Sequence, residues 1–227
     1  MEYSCIRIDP QSPYLARLAQ KYKALRLSAL TESPSAFSST YDIESRLADE
    51  WWESRLRLPG RETFICVANA PSGSARAGEG KWAAQVTLLG PVPASSYNLP
   101  ESAQQPLVAP DDEEEKWQML SLYTLPMHRG KGVGKMLCRE AFRWLKTKEA
   151  DDGKQQPKRV RVRIMVKPEN TATVKLYAGL GFEVSGKCTL AEALKANGDE
   201  ELVPEDGGGQ KYQERTGLIM AATFGRD

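Results

Sequence analysis

The chain has 227 residues and a mass of 25.2 kDa, which fits one large domain or one domain with a small appendage. Its 31 Lys plus Arg against 30 Asp plus Glu leave a formal charge of +1 at pH 7, which excludes a generally basic nucleic-acid binder. Hydrophobic residues make up 41%, enough for a sizeable core, yet no apolar run approaches the roughly 18 residues of a membrane span.

Residues 3–8 alternate as a strand that Asp9-Pro10 stops. Ser12-Pro13 reads as a helix start, a hydroxyl cap before a proline, with Leu15, Leu18, Tyr22, Leu25 and Ala29 on one stripe. Residues 31–40 are Ser- and Pro-rich and read as a loop. The spacing then predicts a second helix over 42–58, burying Ile43, Leu47, Trp51 or Trp52, and Leu56, with Pro59-Gly60 ending it. Residues 63–68 and 82–89 read as strands joined by the turn-rich stretch 69–80. Residues 90–115 are Pro-, Ser- and acid-rich and read as a partly mobile surface insertion whose acidic end, 111–115, is solvated.

Residues 117–124 form a strand closed by Leu125-Pro126. A Gly-rich turn over 127–135 leads into an amphipathic helix over 132–148, with Val133, Leu137, Ala141, Trp144 and Leu145 on its apolar stripe. After a loop over 151–158, residues 159–166 alternate, Val160, Val162, Ile164 and Val166 on one side and Arg159, Arg161, Arg163 and Met165 on the other. A short helix over 171–178 is stopped by Gly179 and Gly181. Strands over 182–189 and 213–221 flank a loop containing Gly207-Gly208-Gly209. The order predicts a mixed α/β (α+β) chain with a seven-stranded sheet and about four helices, not a doubly wound parallel fold.

Cys5, Cys66, Cys138 and Cys188 form no C-x-x-C pair, and with His128 as the one histidine no local zinc set can be assembled. No metal is expected, and the cysteines read as buried free thiols. The start has no basic stretch followed by an apolar segment, so the expected location is cytoplasmic.

The most informative stretch is Arg129-Gly130-Lys131-Gly132-Val133-Gly134-Lys135, set between a strand and a helix. The first turn of a helix leaves about four N–H groups unpaired, and its dipole makes that end positive. Three glycines remove the Cβ atoms that would keep an anion away, and Arg129, Lys131 and Lys135 add charge, so a pyrophosphate is the natural guest. A P-loop is excluded, because it needs a glycine where Arg129 stands and Ser or Thr where Met136 stands. A dinucleotide fingerprint fails at Lys135, and the acids Asp151 and Asp152 downstream fall in a loop. A plain helix-start turn is the remaining alternative.

The segment Leu122-Tyr123-Thr124-Leu125-Pro126-Met127-His128-Arg129-Gly130-Lys131-Gly132-Val133-Gly134 resembles the signature of the GNAT superfamily of acetyl-CoA-dependent N-acetyltransferases, whose coenzyme loop reads R/Q-x-x-G-x-G/A. Arg129, Gly132 and Gly134 match its fixed positions. Downstream, Asn170, Leu176, Tyr177, Gly179, Gly181 and Phe182 fit the family's N-x-x-A-x-x-L-Y-x-x-x-G-F pattern, with Val174 at its alanine. The resemblance spans nearly the whole chain and implies a single N-acetyltransferase domain over 1–227 with insertions at about 91–115 and 189–210.

By that resemblance, acetyl-CoA lies where two parallel central strands, 117–124 and 159–166, splay apart. The backbone of Leu122, Tyr123, Thr124 and Leu125 would serve the pantetheine, the amides of Arg129, Gly130, Lys131, Gly132, Val133, Gly134 and Lys135 the pyrophosphate, and Asn170 and Tyr177 the coenzyme from the second motif. A lysine-like amine is free base in only about one molecule in 2,500 at pH 7, so its proton must be accepted. The departing thiolate must be assisted by a donor, the role implied for Tyr177. Many relatives place a glutamate where Gln118 stands, and glutamine cannot accept a proton; Glu115, Glu50, Glu53 or a water chain remain as bases. His128, lying in the phosphate turn, reads as a coenzyme contact or an exposed side chain. The acceptor would be a small-molecule or peptide amine walled by Phe37, Tyr41, Trp51 and Trp52, with no nucleic-acid or membrane partner, in a monomer or homodimer.

Overall fold

A computed structural model describes residues 2–69, 80–149 and 156–226. The turn-rich stretch 69–80 and the loop 151–158 therefore fall largely outside the described residues, as do Asp151 and Asp152. In chain order the elements are β1 (Glu2–Arg7), α1 (Leu15–Glu32), α2 (Tyr41–Glu44), α3 (Asp49–Arg57), β2 (Arg61–Asn69), β3 (Lys81–Leu89) and α4 (Ala94–Tyr97). There follow β4 (Glu114–Thr124), α5 (Val133–Thr147), β5 (Arg159–Val166), α6 (Thr171–Ala178), β6 (Glu183–Cys188), α7 (Leu190–Ala196), α8 (Gln210–Gln213) and β7 (Gly217–Gly225). The strands form a mixed seven-stranded sheet in the order β1-β2-β3-β4-β5-β7-β6, as the element count predicts. Helices are more numerous than the four expected, because short turns of helix punctuate the connections.

The chain folds as two compact units, and β4 runs through both. The first comprises residues 1–88 and 121–143. Its core packs Leu15, Leu18, Tyr22, Leu25 and Ala29 of α1 against Trp52 and Leu56 of α3, Ile65 and Val67 of β2, Trp82 and Tyr123. Because strand side chains alternate, Phe64 and Cys66 face the other way, and both are fully buried. Helix α1 starts two residues later than the Ser-Pro signal suggests: Ser12 Oγ accepts from Tyr14 N at 3.3 Å, a local turn, and no side chain caps the helix. The helix expected over 42–58 is broken into α2 and α3. The break buries Glu44 against Arg26 in a two-pronged ion pair (2.9 and 2.6 Å) and leaves Ile43 45% exposed instead of in the core.

The second unit comprises residues 89–120 and 144–227. Parallel pairing joins Glu114–Gln118 of β4 to Arg159–Arg163 of β5, and β5 continues to Val166 against antiparallel β7. Val160, Val162 and Ile164 are buried, as the alternation predicts. The opposite row is covered as well: Arg163 is only 2% exposed. Two expectations fail here. The stretch 90–113 is folded down, with α4 and a 3₁₀ turn at Glu101–Ala103 placing Tyr97 and Ala103 in the interior. The acidic run is solvated only in its first part: Asp111, Asp112 and Glu113 form an exposed turn, whereas Glu114 and Glu115 begin β4 and are buried. Counter-charges make that burial tolerable: Arg161 grips Glu114 with two hydrogen bonds (2.8 and 3.1 Å), and Lys148 (2.8 Å) and Arg226 hold Glu115. Buried Lys116 reaches Asp111 at 2.7 Å.

Candidate functional site

The glycine-rich turn lies wholly within the first unit, between the end of β4 and the start of α5. A 3₁₀ turn at Pro126–His128 is followed by Gly130 and Gly132 at φ of 72° and 77°, the left-handed region that glycine adopts without cost. A Cβ built on either would meet nothing within 4 Å, so the backbone faces open space there. Helix α5 begins at Val133, and its first-turn amides have no partners inside the helix. The positive end of a fifteen-residue helix and a bared backbone thus share one exposed turn. A phosphate group fits this cradle, and a side chain at either glycine would fill it.

The cations of the turn are partly committed to the protein itself. Arg129 Nε donates to Thr124 O (2.9 Å), and Nη2 donates to Ser33 Oγ (3.0 Å) just past the end of α1. Its guanidinium also lies over the Tyr123 ring, 5.5 Å from the centroid. Lys131 Nζ donates to Met127 O at 3.0 Å. These bonds fold the side chains over the turn, so their charge adds to its positive field while the main chain is left as the bare surface. Lys135 is half-buried on the first turn of α5. His128 is not exposed as one reading had it: it is buried, with Nδ1 2.9 Å from Tyr3 Oη and the two rings edge to face. Burial and the nearby Lys131 charge hold its pKa below the ordinary histidine value. It braces the turn from behind.

In β4, Tyr123 is buried, with Leu122, Thr124 and Leu125 half-buried beside it; Leu125 N donates to Ala83 O at 2.9 Å. Burial raises the Tyr123 hydroxyl above the ordinary tyrosine pKa, against the opposing pull of Arg129. The sequence reading missed Ser121, which sits in mid-strand at φ 57°. A left-handed non-glycine residue costs about 1–3 kcal/mol, and such strain gathers where a strand is re-aimed at a functional site. Serine carries no signal for this conformation, so only the fold reveals it.

The second motif lies in the other unit. Asn170 caps α6, its Oδ1 accepting from Thr173 N at 3.4 Å. Tyr177, on the same helix, is buried with its ring 5.2 Å from that of Phe182. Gln118 is fully engaged: its Oε1 accepts from Arg163 Nε (2.8 Å), and its Nε2 donates to Asn197 Oδ1 (3.2 Å). Arg163 also donates from Nη1 to Tyr97 O (2.6 Å) and Gln105 Oε1 (3.1 Å), and it stacks on the Tyr97 ring at 3.9 Å. A neutral amide at 118 thus organises a buried guanidinium. Gln118→Ala would strip Arg163 Nε of its acceptor, and we expect a loss of about 1–3 kcal/mol in denaturant unfolding. An unchanged midpoint would show the network to be dispensable.

Among the candidate bases, Glu115 has its oxygens taken by Lys148 and Arg226, Glu53 pairs with Arg57 at 2.7 Å, and Glu50 is exposed. Of the aromatics assigned to the acceptor wall, Phe37 lies 6.2 Å from Tyr123 and under the Arg26 guanidinium at 4.6 Å, which puts it at the end of β4. Tyr41 is 46% exposed, and Trp51 packs between Trp52 and Arg55. Trp52 does not line an open wall: it is 1% exposed and edge-on to Tyr22 in the core, where a large apolar ring stabilises most. Among the described residues no cluster of three or more His, Cys, Asp or Glu has the arrangement of a metal site, and no helix is long and apolar enough to cross a membrane.

Residues 107–184, which hold β4, the turn, α5, β5 and α6, match the family model described as an acetyltransferase (GNAT) domain. No curated protein matches the chain. Among solved structures, the fold is similar to a GNAT-family acetyltransferase from Streptococcus pneumoniae, at 17% identity and a TM-score of 0.55, covering 99% of this chain and 100% of that one. It is also similar to Arabidopsis thaliana NAA60, determined in complex with acetyl-CoA, at 15% identity and 0.54, covering 98% and 99%. The ribosomal-protein-S18-alanine N-acetyltransferase of Escherichia coli matches at 13% identity and 0.51, covering 100% and 96%. The fold is therefore the GNAT fold.

Proposed function

We propose that this protein is an N-acetyltransferase that moves an acetyl group from acetyl-CoA to a primary amine by direct transfer in a ternary complex. The observation that carries the reading is the turn at 129–135, where glycines at positive φ open the backbone to space at the head of α5. In this reading the amides of 129–135 take the pyrophosphate, the backbone of 122–125 takes the pantetheine arm, and Asn170 and Tyr177 complete the coenzyme contacts. Tyr177 supplies a hydrogen bond to the leaving thiolate. A phenol near pKa 10 giving its proton outright to a thiolate whose thiol has a pKa near 8.5 is uphill by about 2 kcal/mol, so donation during departure is the form the assistance takes. With the oxygens of Glu115 taken and Gln118 engaged, water is the group that removes the amine proton. The acceptor is a small-molecule or peptide amine, and Phe37, next to the end of β4, is the aromatic we assign to its wall. The protein works in the cytoplasm.

One observation favours a second reading. Gln118, tied to Arg163 and Asn197, offers no base, as in an acyl-CoA-binding module with little turnover. Incubation with acetyl-CoA and a panel of amines, following release of the coenzyme thiol, separates the two. Amine-dependent release is the expected result. Binding of the coenzyme with no release on any amine would establish the module.

A further inference from the structure

Strands β1 and β2 pair antiparallel with Cys5 directly opposite Cys66. The hydrogen-bond phase of that ladder follows from one bond. Ile8 N donates to Thr63 O at 2.8 Å, in the same register that sets Arg7 opposite Phe64, so residues 8 and 63 form a hydrogen-bonded pair. Pairs alternate along an antiparallel ladder, so counting down from the bonded pair at 8 and 63, Ile6 and Ile65 are bonded and Cys5 and Cys66 are not. Cys5 and Cys66 therefore occupy a non-hydrogen-bonded site. There the Cα atoms approach to about 4.5 Å and the side chains lie closest, inside the roughly 4.4–6.8 Å window of disulfides.

Access is asymmetric in the way thiol exchange needs. Cys5 is partly exposed on β1, the edge strand of the sheet, whereas Cys66 is fully buried behind it. We infer that Cys5 and Cys66 form a reversible cross-strand disulfide, with Cys5 the entry point and Cys66 the resolving thiol. With glutathione disulfide as oxidant, the Cys5 thiolate attacks one glutathione sulfur, the S–S bond breaks, and one glutathione leaves as thiolate. Cys66 then attacks the Cys5 sulfur of the mixed disulfide and expels the second glutathione. The two protons lost by the protein end on the two glutathione thiols, and the two electrons reduce the glutathione disulfide. The other cysteines stay out of this chemistry: both are buried, Cys138 lies on α5, and Cys188 pairs with Gly217 across the β6–β7 ladder instead of with a cysteine. The inference is independent of the acetyltransferase reading.

The test treats the full chain with glutathione disulfide and maps it without reduction. Trypsin should yield residues 1–7 linked to residues 62–76, a mass two hydrogens below the sum of the two peptides, and a titratable thiol count falling from four to two. Dithiothreitol should restore all four. Cys66→Ser should stop at a glutathione adduct on Cys5, and Cys5→Ser should leave Cys66 a free thiol. A wild-type protein that keeps four thiols, that stops at the Cys5 adduct, or that links either residue to Cys138 or Cys188 would overturn the inference.

Discussion

Gly132→Val should abolish detectable binding of coenzyme A, weakening it at least about 100-fold, or about 2.7 kcal/mol. Gly132 sits at φ 77°, and a Cβ there would point into open space over the turn. Two effects combine in the variant. A β-branched residue is strained in the left-handed region, by about 1–3 kcal/mol, and its methyl groups would occupy the position of the phosphate. Gly132→Asn separates them, because asparagine tolerates the left-handed conformation yet still fills the cradle. Loss of affinity in both variants, by calorimetric titration with thermal melts as a folding control, assigns the effect to occlusion. Retained affinity in the valine variant would mean that the loop holds something other than a diphosphate.

Tyr177→Phe should lower kcat at least tenfold, about 1.4 kcal/mol of barrier, with the dissociation constant of acetyl-CoA little changed. The substitution removes one hydroxyl and keeps the ring, whose packing against Phe182 at 5.2 Å is what a structural tyrosine would contribute. A hydrogen bond made only as the thiolate leaves appears in kcat and not in coenzyme affinity. Equal turnover in the two proteins would leave Tyr177 as a core aromatic.

Much of the frame was readable from side-chain periodicity. Residues 159–166 alternate, and β5 spans the same residues; α6 likewise begins at Thr171 and ends at Ala178. The turn at 129–135 was readable because three glycines between a strand and a helix have few other uses. Helix α7 carried a signal that was passed over: Thr189 and Glu192 form a capping box, with Glu192 N donating to Thr189 Oγ1 at 3.1 Å and Thr189 N donating to Glu192 Oε2 at 2.9 Å. The break after Glu44 had no comparable local mark. It depends on Arg26, eighteen positions away, as the buried partner of that carboxylate.

The sequence alone determined the order of the seven strands, the class of fold and the glycine-bared turn, since each rests on neighbours within a few positions: apolar spacing, caps and missing side chains. Tertiary structure decided which charges are buried. Glu114 and Glu115 read as part of a solvated acidic run, yet they, like Arg163, lie inside because partners distant in the chain neutralise or hydrogen-bond them. It also decided the left-handed kink at Ser121 and the meeting of Cys5 with Cys66, because strain and pairing register are settled by strands from separate parts of the chain, whose proximity no local pattern encodes.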